Sequence, residues 1–389
     1  MIDKVDHPGQ DKFSPAKRIG AAMASYMMQH KDFYLFSPDE TTSNKLDATY
    51  EVTDRAWTMM QQEWDLPESA NGRIVEMLSE NALFACMAGH LMNGEPAAMT
   101  SYEAFFTIIA AQVMQHIKFL QQSTEVAWRD PIPAANLLST STCWRQDHNG
   151  FTHQSPALIS LLLSNPSNKA NCLFPIDDVA AEAAFIYMAR STNVVNLTTF
   201  NKTDQPRWID SHQADAQYHN GSATILDFVS DDDPDYVFVG VGDIVSCESI
   251  EAVKILQKDI PAKKFRFVNI AALSYGAIGT TDCKLKQEQF EEIFTKKKPI
   301  IVNFHGYPET LRGIFDRYAD RNRVRVHGFL ERGSTTTPFE MLSVNEASRY
   351  HLAMDVARLE KQSELVEKYR KKIVENHEYA QKHGVDKII

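Results

Sequence analysis

Residues 171–199, NCLFPIDDVAAEAAFIYMARSTNVVNLTT, decide the fold of this chain. The run Asn171 to Phe174 is short and apolar, Asp178 to Ala189 has the length and spacing of a helix, and Val194 to Thr199 is rich in β-branched residues. A strand, a helix and a second strand in this order form the repeating unit of a parallel sheet, because parallel strands need a crossover connection. The stretch therefore predicts an α/β fold.

The same alternation continues on both sides of this stretch. Toward the amino terminus we predict strands at 33–36 and 73–78 and helices at 17–30, 82–91 and 104–120. Toward the carboxyl terminus we predict strands at 223–229, 236–241, 264–270 and 299–304 and helices at 247–258, 287–294, 309–316 and 345–372. This order predicts two three-layer α/β/α domains with mostly parallel sheets.

The length of 389 residues, 43% of them hydrophobic, is sufficient for two cores. Residues 1–15 contain two prolines and a glycine and read as an amino-terminal arm. Residues 16–205 form the first predicted domain, and 206–220, rich in Asp, Gln and His, form a linker. Residues 221–389 form the second domain, which ends in a helical, peripheral tail.

The charge balance limits the classes of partner. Forty basic and 51 acidic residues give a formal charge of -11, which argues against general binding to nucleic acid or to an anionic membrane. The first residues lack an apolar signal region, and no apolar run is long enough to span a bilayer. The five cysteines contain no Cys-x-x-Cys pair and read as reduced thiols, so we expect a soluble cytoplasmic protein.

Residues 144–154, WRQDHNGFTHQ, contain the densest polar cluster of the chain. They lie between an apolar approach, Asn136 to Cys143, and an apolar exit, Ala157 to Leu163. Such a cluster is costly to bury unless its groups satisfy one another or bind a ligand. It therefore predicts either the rim of a polar-ligand site or a polar turn that satisfies itself.

Two further ionisable side chains follow predicted strands. Glu80 lies just past an apolar strand and beside a helix start, where partial desolvation would let it hold or pass a proton near neutral pH. The alternative is a solvent-exposed acid at a helix amino terminus. His305, at the end of the strand 299–304, either faces a cleft or is a satisfied histidine.

Two loops have weaker signals. Gly240 to Asp243 joins a strand to a helix, but it lacks the third glycine of a dinucleotide loop, so an ordinary turn is favoured over a dehydrogenase site. The run Gly333 to Phe339 offers hydroxyl groups that suit a phosphate. Helix capping is the favoured interpretation, with Thr337 as N-cap and Pro338 at the first helical position.

Several motifs together closely resemble the bacterial phosphoketolase family. They are WRQDHNGFTHQ at 144–154, SYEAF at 101–105, SPDE at 37–40 with Ser43 and Asn44, HGYP at 305–308 and TTTPF at 335–339. The resemblance implies cleavage of xylulose 5-phosphate or fructose 6-phosphate with inorganic phosphate, giving acetyl phosphate and an aldose phosphate. It also implies thiamine diphosphate as cofactor, and an oligomer. It extends from about Phe13 to the carboxyl terminus, as a pyrimidine-binding domain and a transketolase-like C-terminal domain.

Members of the family are longer than this chain. Their N-terminal domain holds the diphosphate of the cofactor and Mg²⁺ through a Gly-Asp-Gly pattern that this sequence lacks. The resemblance therefore implies a portion of a phosphoketolase that needs a separate N-terminal half and is inactive alone. The alternative is a non-catalytic relative that binds a phosphorylated metabolite or a partner subunit.

The resemblance assigns roles by position. Glu80 matches the glutamate that hydrogen-bonds the aminopyrimidine ring of the cofactor, and with His153 it is the expected catalytic pair; Tyr102 also lies against the cofactor. The expected substrate and phosphate ligands are Ser43, Lys45, Tyr102, Gln146, His148, Asn149, His153 and Lys202. Lysine and histidine with amide donors suit a phosphate dianion.

Three departures from the family pattern weaken this transfer of roles, and two of them, Asn81 and Thr124, favour the non-catalytic alternative. Asn81 replaces a usual histidine beside the glutamate, and Lys45 replaces an arginine. Thr124 stands where we expect an arginine, which would remove a fixed charge from the sugar-phosphate pocket. On this basis the pocket is less positive than is usual in the family.

Overall fold

The fold is known from a computed structural model, which describes residues 2, 4–65, 67–146 and 150–387. In chain order its strands are β1 (Lys12–Phe13), β2 (Tyr34–Ser37), β3 (Arg55–Ala56), β4 (Glu68–Ser69), β5 (Ile74–Glu76), β6 (Ala97–Tyr102), β7 (Ala135–Thr140), β8 (Ala170–Leu173), β9 (Val195–Thr199), β10 (Gln205–Pro206), β11 (Ala223–Ile225), β12 (Tyr236–Val241), β13 (Phe265–Ile270), β14 (Ala272–Ser274), β15 (Ala277–Ile278), β16 (Ile300–Phe304) and β17 (Val324–His327).

The helices cover both faces of the sheets formed by these strands. In chain order they are α1 (Pro15–Gln29), α2 (Glu80–Met92), α3 (Ala110–Thr124), α4 (Ala157–Ser164), α5 (Asp178–Arg190), α6 (Ser211–Gln217), α7 (Asp243–Asp259), α8 (Gln287–Phe294), α9 (Pro308–Phe315), α10 (Pro338–Val344), α11 (Arg349–Leu359) and α12 (Ser363–His383). Short 3-10 turns occur at Asp47–Glu51, Glu103–Ile109, Phe151–His153, Asp227–Val229 and Arg321–Arg323.

The larger sheet has the strand order β15-β14-β8-β9-β7-β6-β2-β5-β3-β4. All its neighbours from β8 to β4 are parallel, and only β14 and β15 are antiparallel. A second sheet has the order β11-β13-β12-β16-β17, with only β11 antiparallel. Two mostly parallel sheets confirm the predicted fold class.

Both faces of the larger sheet are buried, as parallel sheets require. Leu138 on one face packs in a cluster with α1 and α5 residues such as Met23 and Phe185. Its neighbour Leu137 points to the other face and packs with residues of α2, α3 and α4. Because side chains alternate along a strand, consecutive apolar residues serve the two layers of helices.

The two sheets share one continuous core. The cluster on the α2 side of the larger sheet also contains Val239 and Val302 of the second sheet. In addition, β14 follows β13 of the second sheet directly and pairs with β8 of the first, through Leu273 and Cys172. The sheets are therefore joined by backbone hydrogen bonds as well as by apolar contacts. The predicted domain boundaries stay a prediction.

Several elements differ from the sequence-based expectation. Strand β6 was not expected, because Thr100 and Ser101 look like an interruption; both are fully buried. The region predicted to be a linker contains α6 and the buried residues Trp208 and Ile209. The tail predicted to be peripheral is packed, since Asp386 accepts hydrogen bonds from the Thr337 hydroxyl, the Phe339 backbone and the Asn376 amide.

Candidate active site

The carboxyl ends of five neighbouring strands, β5, β2, β6, β7 and β9, lie at one edge of the larger sheet. The register places Ser37 opposite Glu76, Tyr102 opposite Thr140, and Ser139 opposite Thr199. The loops that follow these strands therefore emerge side by side. Ligands bind at this edge in open α/β sheets. We call it the rim.

Tyr102 is the centre of the residues that the structure brings together at the rim. Its hydroxyl lies 2.8 Å from the Ser43 hydroxyl, and its ring lies 4.6 Å from the Lys202 ammonium nitrogen. Phe105 stacks beside the same ring, with 6.0 Å between ring centroids. Lys202 is buried, and the low polarity of its surroundings strengthens the interaction of its charge with neighbouring groups.

Glu80 joins this group through the strand that carries Tyr102. It is the first residue of α2, after the N-cap residue Ser79, and the hydroxyl of Ser101 donates a hydrogen bond to its Oε1 at 3.4 Å. The side chain is half-buried. A carboxylate at a helix amino terminus is stabilised by the unpaired backbone N–H groups there.

The sequence interpretation missed Glu40, which lies in the loop after β2. Partial burial is the main cause that raises the pKa of the Glu40 carboxyl to about 7, and the charge of Glu80 raises it further. Lys202, the Asn44 side chain and the backbone of Tyr102 oppose this rise in pKa. Only the motif SPDE pointed to Glu40, and sequence spacing did not show its proximity to Glu80.

His153 lies beside the same aromatic pair. Its ring meets Phe105 edge to face at 5.3 Å, and its Nδ1 lies 2.9 Å from the Thr152 hydroxyl. It is the last residue of the 3-10 turn that follows the polar cluster. Phe105 therefore contacts both Tyr102 and His153, which places His153 near the group around Lys202.

Gln146 is engaged by the protein itself. Its amide donates to Gln154 Oε1 at 3.1 Å and to the backbone carbonyl of Ser334, and its oxygen accepts from the Thr336 backbone N–H at 3.1 Å. These bonds hold the polar cluster against the loop before α10. For Gln146, the prediction of a self-satisfied polar turn therefore describes the observed contacts. A phosphate ligand would have to displace one of them.

One other predicted ligand is not placed in the group, and two lie outside the described residues. Lys45 is exposed, has a left-handed backbone with φ of 63°, and makes no side-chain hydrogen bond or ion pair with the described residues. His148 and Asn149 lie outside the described residues, so their predicted roles stay predictions. The favoured capping interpretation is confirmed, since Thr337 is the N-cap of α10 and Pro338 its first residue.

The structure places two of the expected departures at exposed positions. Thr124 is the last residue of α3, which starts near the rim and runs back along the sheet for about 22 Å at 1.5 Å per residue. Thr124 is therefore not placed beside Lys202 in this chain, and its effect on the phosphate pocket stays a prediction. Asn81 is also exposed, on the first turn of α2.

A second ionic group lies behind the rim and is completely buried. His305 Nε2 donates to Glu103 Oε1 at 2.7 Å, and the Cys143 backbone N–H donates to Glu103 Oε2 at 2.6 Å. Burial opposes charge on His305, but Glu103 and then Asp243 outweigh it and raise its pKa. His305 is therefore the satisfied histidine of the two alternatives. We call it, with Glu103, the joint pair, because it links β16 to β6.

The joint pair does not resemble an open metal site. Glu103, Cys143 and His305 place their ligand atoms within 4.8 Å of one another. However, burial raises the pKa of the Cys143 thiol, which keeps it protonated, and Glu103 raises that pKa further. His305 and Glu103 already satisfy each other. Glu103, Cys143 and His305 therefore form a hydrogen-bonded network that stabilises the fold.

The loop Gly240 to Asp243 also serves this joint. Asp243 accepts from the backbone N–H of Asn201 at 2.9 Å and from its side-chain amide at 3.1 Å. Asn201 directly precedes Lys202, so the start of α7 anchors the backbone next to the residue that carries the rim ammonium group. The loop is therefore an ordinary strand-to-helix turn whose Asp243 holds Asn201 by hydrogen bonds.

Comparison with known proteins shows the family. The profile of D-xylulose 5-phosphate/D-fructose 6-phosphate phosphoketolase matches residues 18–190, and that of the C-terminal domain of the same family matches residues 202–388. The chain belongs to the phosphoketolase family. Probable phosphoketolase 1 of Nostoc sp. is 35% identical over 402 residues, covering 98% of this chain and 50% of that protein. The probable phosphoketolase of Pseudomonas putida is 35% identical over 389 residues, covering 97% and 49%.

The chain spans about half the length of the curated phosphoketolases it matches. Solved structures show the same fold at low identity. A transketolase of Pichia stipitis in complex with sedoheptulose 7-phosphate has a TM-score of 0.69 at 16% identity, covering 94% of this chain and 48% of that one. A split-gene transketolase, described as an inactive β4 tetramer, has a TM-score of 0.60 at 15% identity, covering 90% and 98%.

The helices were compared with the length and apolar character of a membrane-spanning helix. Within residues 2–387, leaving aside the few positions outside the description, no helix combines the length and the apolar character needed to cross a bilayer. The longest, α12, has 21 residues and is strongly charged.

Proposed function

We propose that this chain forms the pyrimidine-binding portion of a thiamine-diphosphate-dependent phosphoketolase. In this proposal it cleaves xylulose 5-phosphate or fructose 6-phosphate with inorganic phosphate, giving acetyl phosphate and an aldose phosphate. It does so only together with a separate half that holds the cofactor diphosphate and Mg²⁺. The observation that carries the proposal is the convergence of Glu80, Tyr102, Ser43 and Lys202 at one rim in a chain of this family.

The residues at the rim fit the pyrimidine end of the cofactor. An aminopyrimidine is a flat ring with a basic nitrogen, so it needs an aromatic or apolar wall and a carboxyl group in the ring plane. The stacked rings of Tyr102 and Phe105 offer such a wall, and Glu80 offers the carboxyl group. Thiamine diphosphate, when bound, supplies the carbon centre that takes up electrons during cleavage of the sugar.

The protein's own side chains have three tasks in this proposal. Glu80 hydrogen-bonds the pyrimidine ring and sets its protonation. Lys202 and Ser43 bind the phosphate of the substrate or inorganic phosphate, because an ammonium and a hydroxyl group provide charge-assisted hydrogen bonds to a dianion. His153, beside Phe105, holds or moves a proton at the reacting hydroxyl groups.

The need for a second half is the other part of the proposal. The sequence has no Gly-Asp-Gly pattern, and its nearest approach, Gly242-Asp243, is used to bind Asn201. The coverage of about half of the Nostoc and Pseudomonas relatives supports the same view. A transketolase of similar fold that is described as split-gene gives a precedent for such a division.

The test is acetyl phosphate formation by the purified chain, alone and co-expressed with the half of the Nostoc phosphoketolase that it does not match. Xylulose 5-phosphate, inorganic phosphate, thiamine diphosphate and Mg²⁺ are supplied in both cases. Activity only in the co-expressed sample supports the proposal. If a complex forms and binds the cofactor but makes no acetyl phosphate, the chain is a non-catalytic relative that binds a partner.

A further inference from the structure

Two carboxyl groups at the rim share the neighbourhood of one ammonium group. Glu40 comes from the loop after β2, Glu80 from the start of α2, and Lys202 from the loop after β9. The backbone N–H of Tyr102 and the side-chain amide of Asn44 also face Glu40. Three elements that are distant in sequence therefore meet at the Glu40 side chain.

Among the residues that the structure describes, two carboxyl groups and one ammonium group meet here. One ammonium group compensates one carboxylate, and a second carboxylate in a half-buried place is disfavoured by desolvation and by repulsion from the first. Close carboxyl pairs resolve this by keeping one proton between them. Burial and the charge of Glu80 together bring the pKa of Glu40 to about 7, which is consistent with this geometry.

The hydrogen bonds of Glu40 leave one oxygen available. Its Oε2 is buried, yet has no hydrogen-bond partner in the part of the chain that the structure describes. A buried polar atom of this kind is normally satisfied by water or by a ligand. Glu103 of the joint pair is different, since both of its oxygens accept hydrogen bonds.

We propose that Glu40 is a proton-holding residue of this site, which stays neutral beside Glu80 and offers its unbonded Oε2 as a hydrogen-bond donor to the bound ligand. The inference rests on the proposed function only for the identity of that group. A neutral Glu40 also leaves the charge of Lys202 to compensate Glu80 and an anionic ligand. An ionised Glu40 would compete with a phosphate for that ammonium group.

Infrared absorption of protonated carboxyl groups tests the proposal on the full chain alone, from about pH 5 to about pH 9, a range that brackets the shifted group. The samples are wild type, Glu40→Gln, Glu80→Gln and, as matched control, Glu378→Gln on the exposed face of α12. The buried Asp177, whose pKa desolvation raises to about 6, contributes to every sample. Difference spectra against Glu40→Gln remove that contribution.

The proposal predicts an acid band that titrates near pH 7 in the wild type and in Glu378→Gln and that is missing in Glu40→Gln. In Glu80→Gln its midpoint should fall by at least about half a pH unit, because a neighbouring negative charge has gone. A band that persists in Glu40→Gln, or a midpoint that does not move in Glu80→Gln, overturns the proposal.

A second variant covers the case in which Glu40→Gln does not fold. Glu40→Asp keeps the carboxyl group but withdraws it from Glu80 by one methylene, so the band should remain and its midpoint should fall. An unchanged midpoint in Glu40→Asp contradicts the proposal. These results do not depend on acetyl phosphate formation, so failure of the titration and failure of the proposed function are distinguishable.

Discussion

The joint pair and the rim use similar chemical groups with opposite results. In the joint pair one carboxylate meets one imidazolium, both are sealed from water, and both Glu103 oxygens are bonded. Among the described rim residues, two half-buried carboxyl groups lie near one buried ammonium group, and Glu40 Oε2 has no hydrogen-bond partner. Complete pairing stabilises an interface between two sheets, whereas incomplete pairing leaves a site that is ready for a ligand.

The difference follows from the positions of the two groups on the sheet. The joint pair lies where the second sheet packs over the ends of β6 and β7, so no water reaches it and each charge must be matched. The rim group lies at the carboxyl ends of the same sheet, where Glu40 and Glu80 are only partly buried. There an unmatched charge costs less and can be tolerated for function.

The largest expected effect is on the joint pair. His305→Ala leaves Glu103 buried and unpaired, so we expect the free energy of unfolding in urea to fall by about 3–5 kcal/mol. The control is His212→Ala on exposed α6, which should change little. The pKa of His305 is raised on folding. Its contribution to the free energy of unfolding is therefore complete below about pH 6.5 and is lost as pH rises through the pKa of the folded state. A loss of unfolding free energy below about 1 kcal/mol would contradict this account, because it would make the buried joint pair no stronger than an exposed ion pair.

The second effect has the opposite sign. The pKa of Glu40 rises from 4.5 to about 7 on folding, so its contribution to stability is complete below pH 4.5 and is lost as pH rises through 7. Glu40→Gln removes this loss. One unit of pKa shift corresponds to about 1.4 kcal/mol, and partial exposure of Glu40 reduces this value. The free energy of unfolding of the variant should therefore exceed that of the wild type by about 1–2 kcal/mol at about pH 8 and by little at about pH 5. A gain that does not depend on pH would contradict this account.

The smallest effect concerns the bond between Tyr102 and Ser43. Tyr102→Phe removes one hydroxyl of a pair at 2.8 Å but keeps the ring against Lys202, so unfolding free energy should fall by about 0.5–1.5 kcal/mol. Ser43→Ala should cost a similar amount, and the double variant should cost clearly less than the sum of the two. Additive losses in this double-mutant cycle would show that the hydroxyls do not stabilise each other.

Much of the fold was predictable because apolar runs and helical spacing are local signals. The stretch 171–199 gave β8, α5 and β9 within one residue at each end. Strand β6 was not predicted because Thr100 and Ser101 are polar. Only the folded sheet shows that the Thr100 hydroxyl forms hydrogen bonds with the Asn44 side chain and the Leu138 carbonyl. Polarity within a strand cannot be interpreted without its partners.

The candidate site was predictable in part, for a similar reason. Motif resemblance identified Glu80, Tyr102 and Lys202, since it carries positions without needing distances. It did not show where Thr124 lies, because the direction of α3 decides which end of the sheet that residue reaches. It overlooked Glu40, whose pKa depends on burial and on the charges of Glu80 and Lys202, which lie 40 and 162 positions away along the chain.

The most direct test of the contrast between rim and joint is Glu80→Gln in the co-expressed complex, with acetyl phosphate formation and unfolding free energy measured on the same preparation. We predict a rate at least about 100-fold below wild type. The unfolding free energy should stay within about 0.5 kcal/mol of the wild-type value or above it, as for a substitution away from any fully paired network. An unchanged rate, or a loss of stability like that expected for His305→Ala, would contradict the assignment of the rim to function.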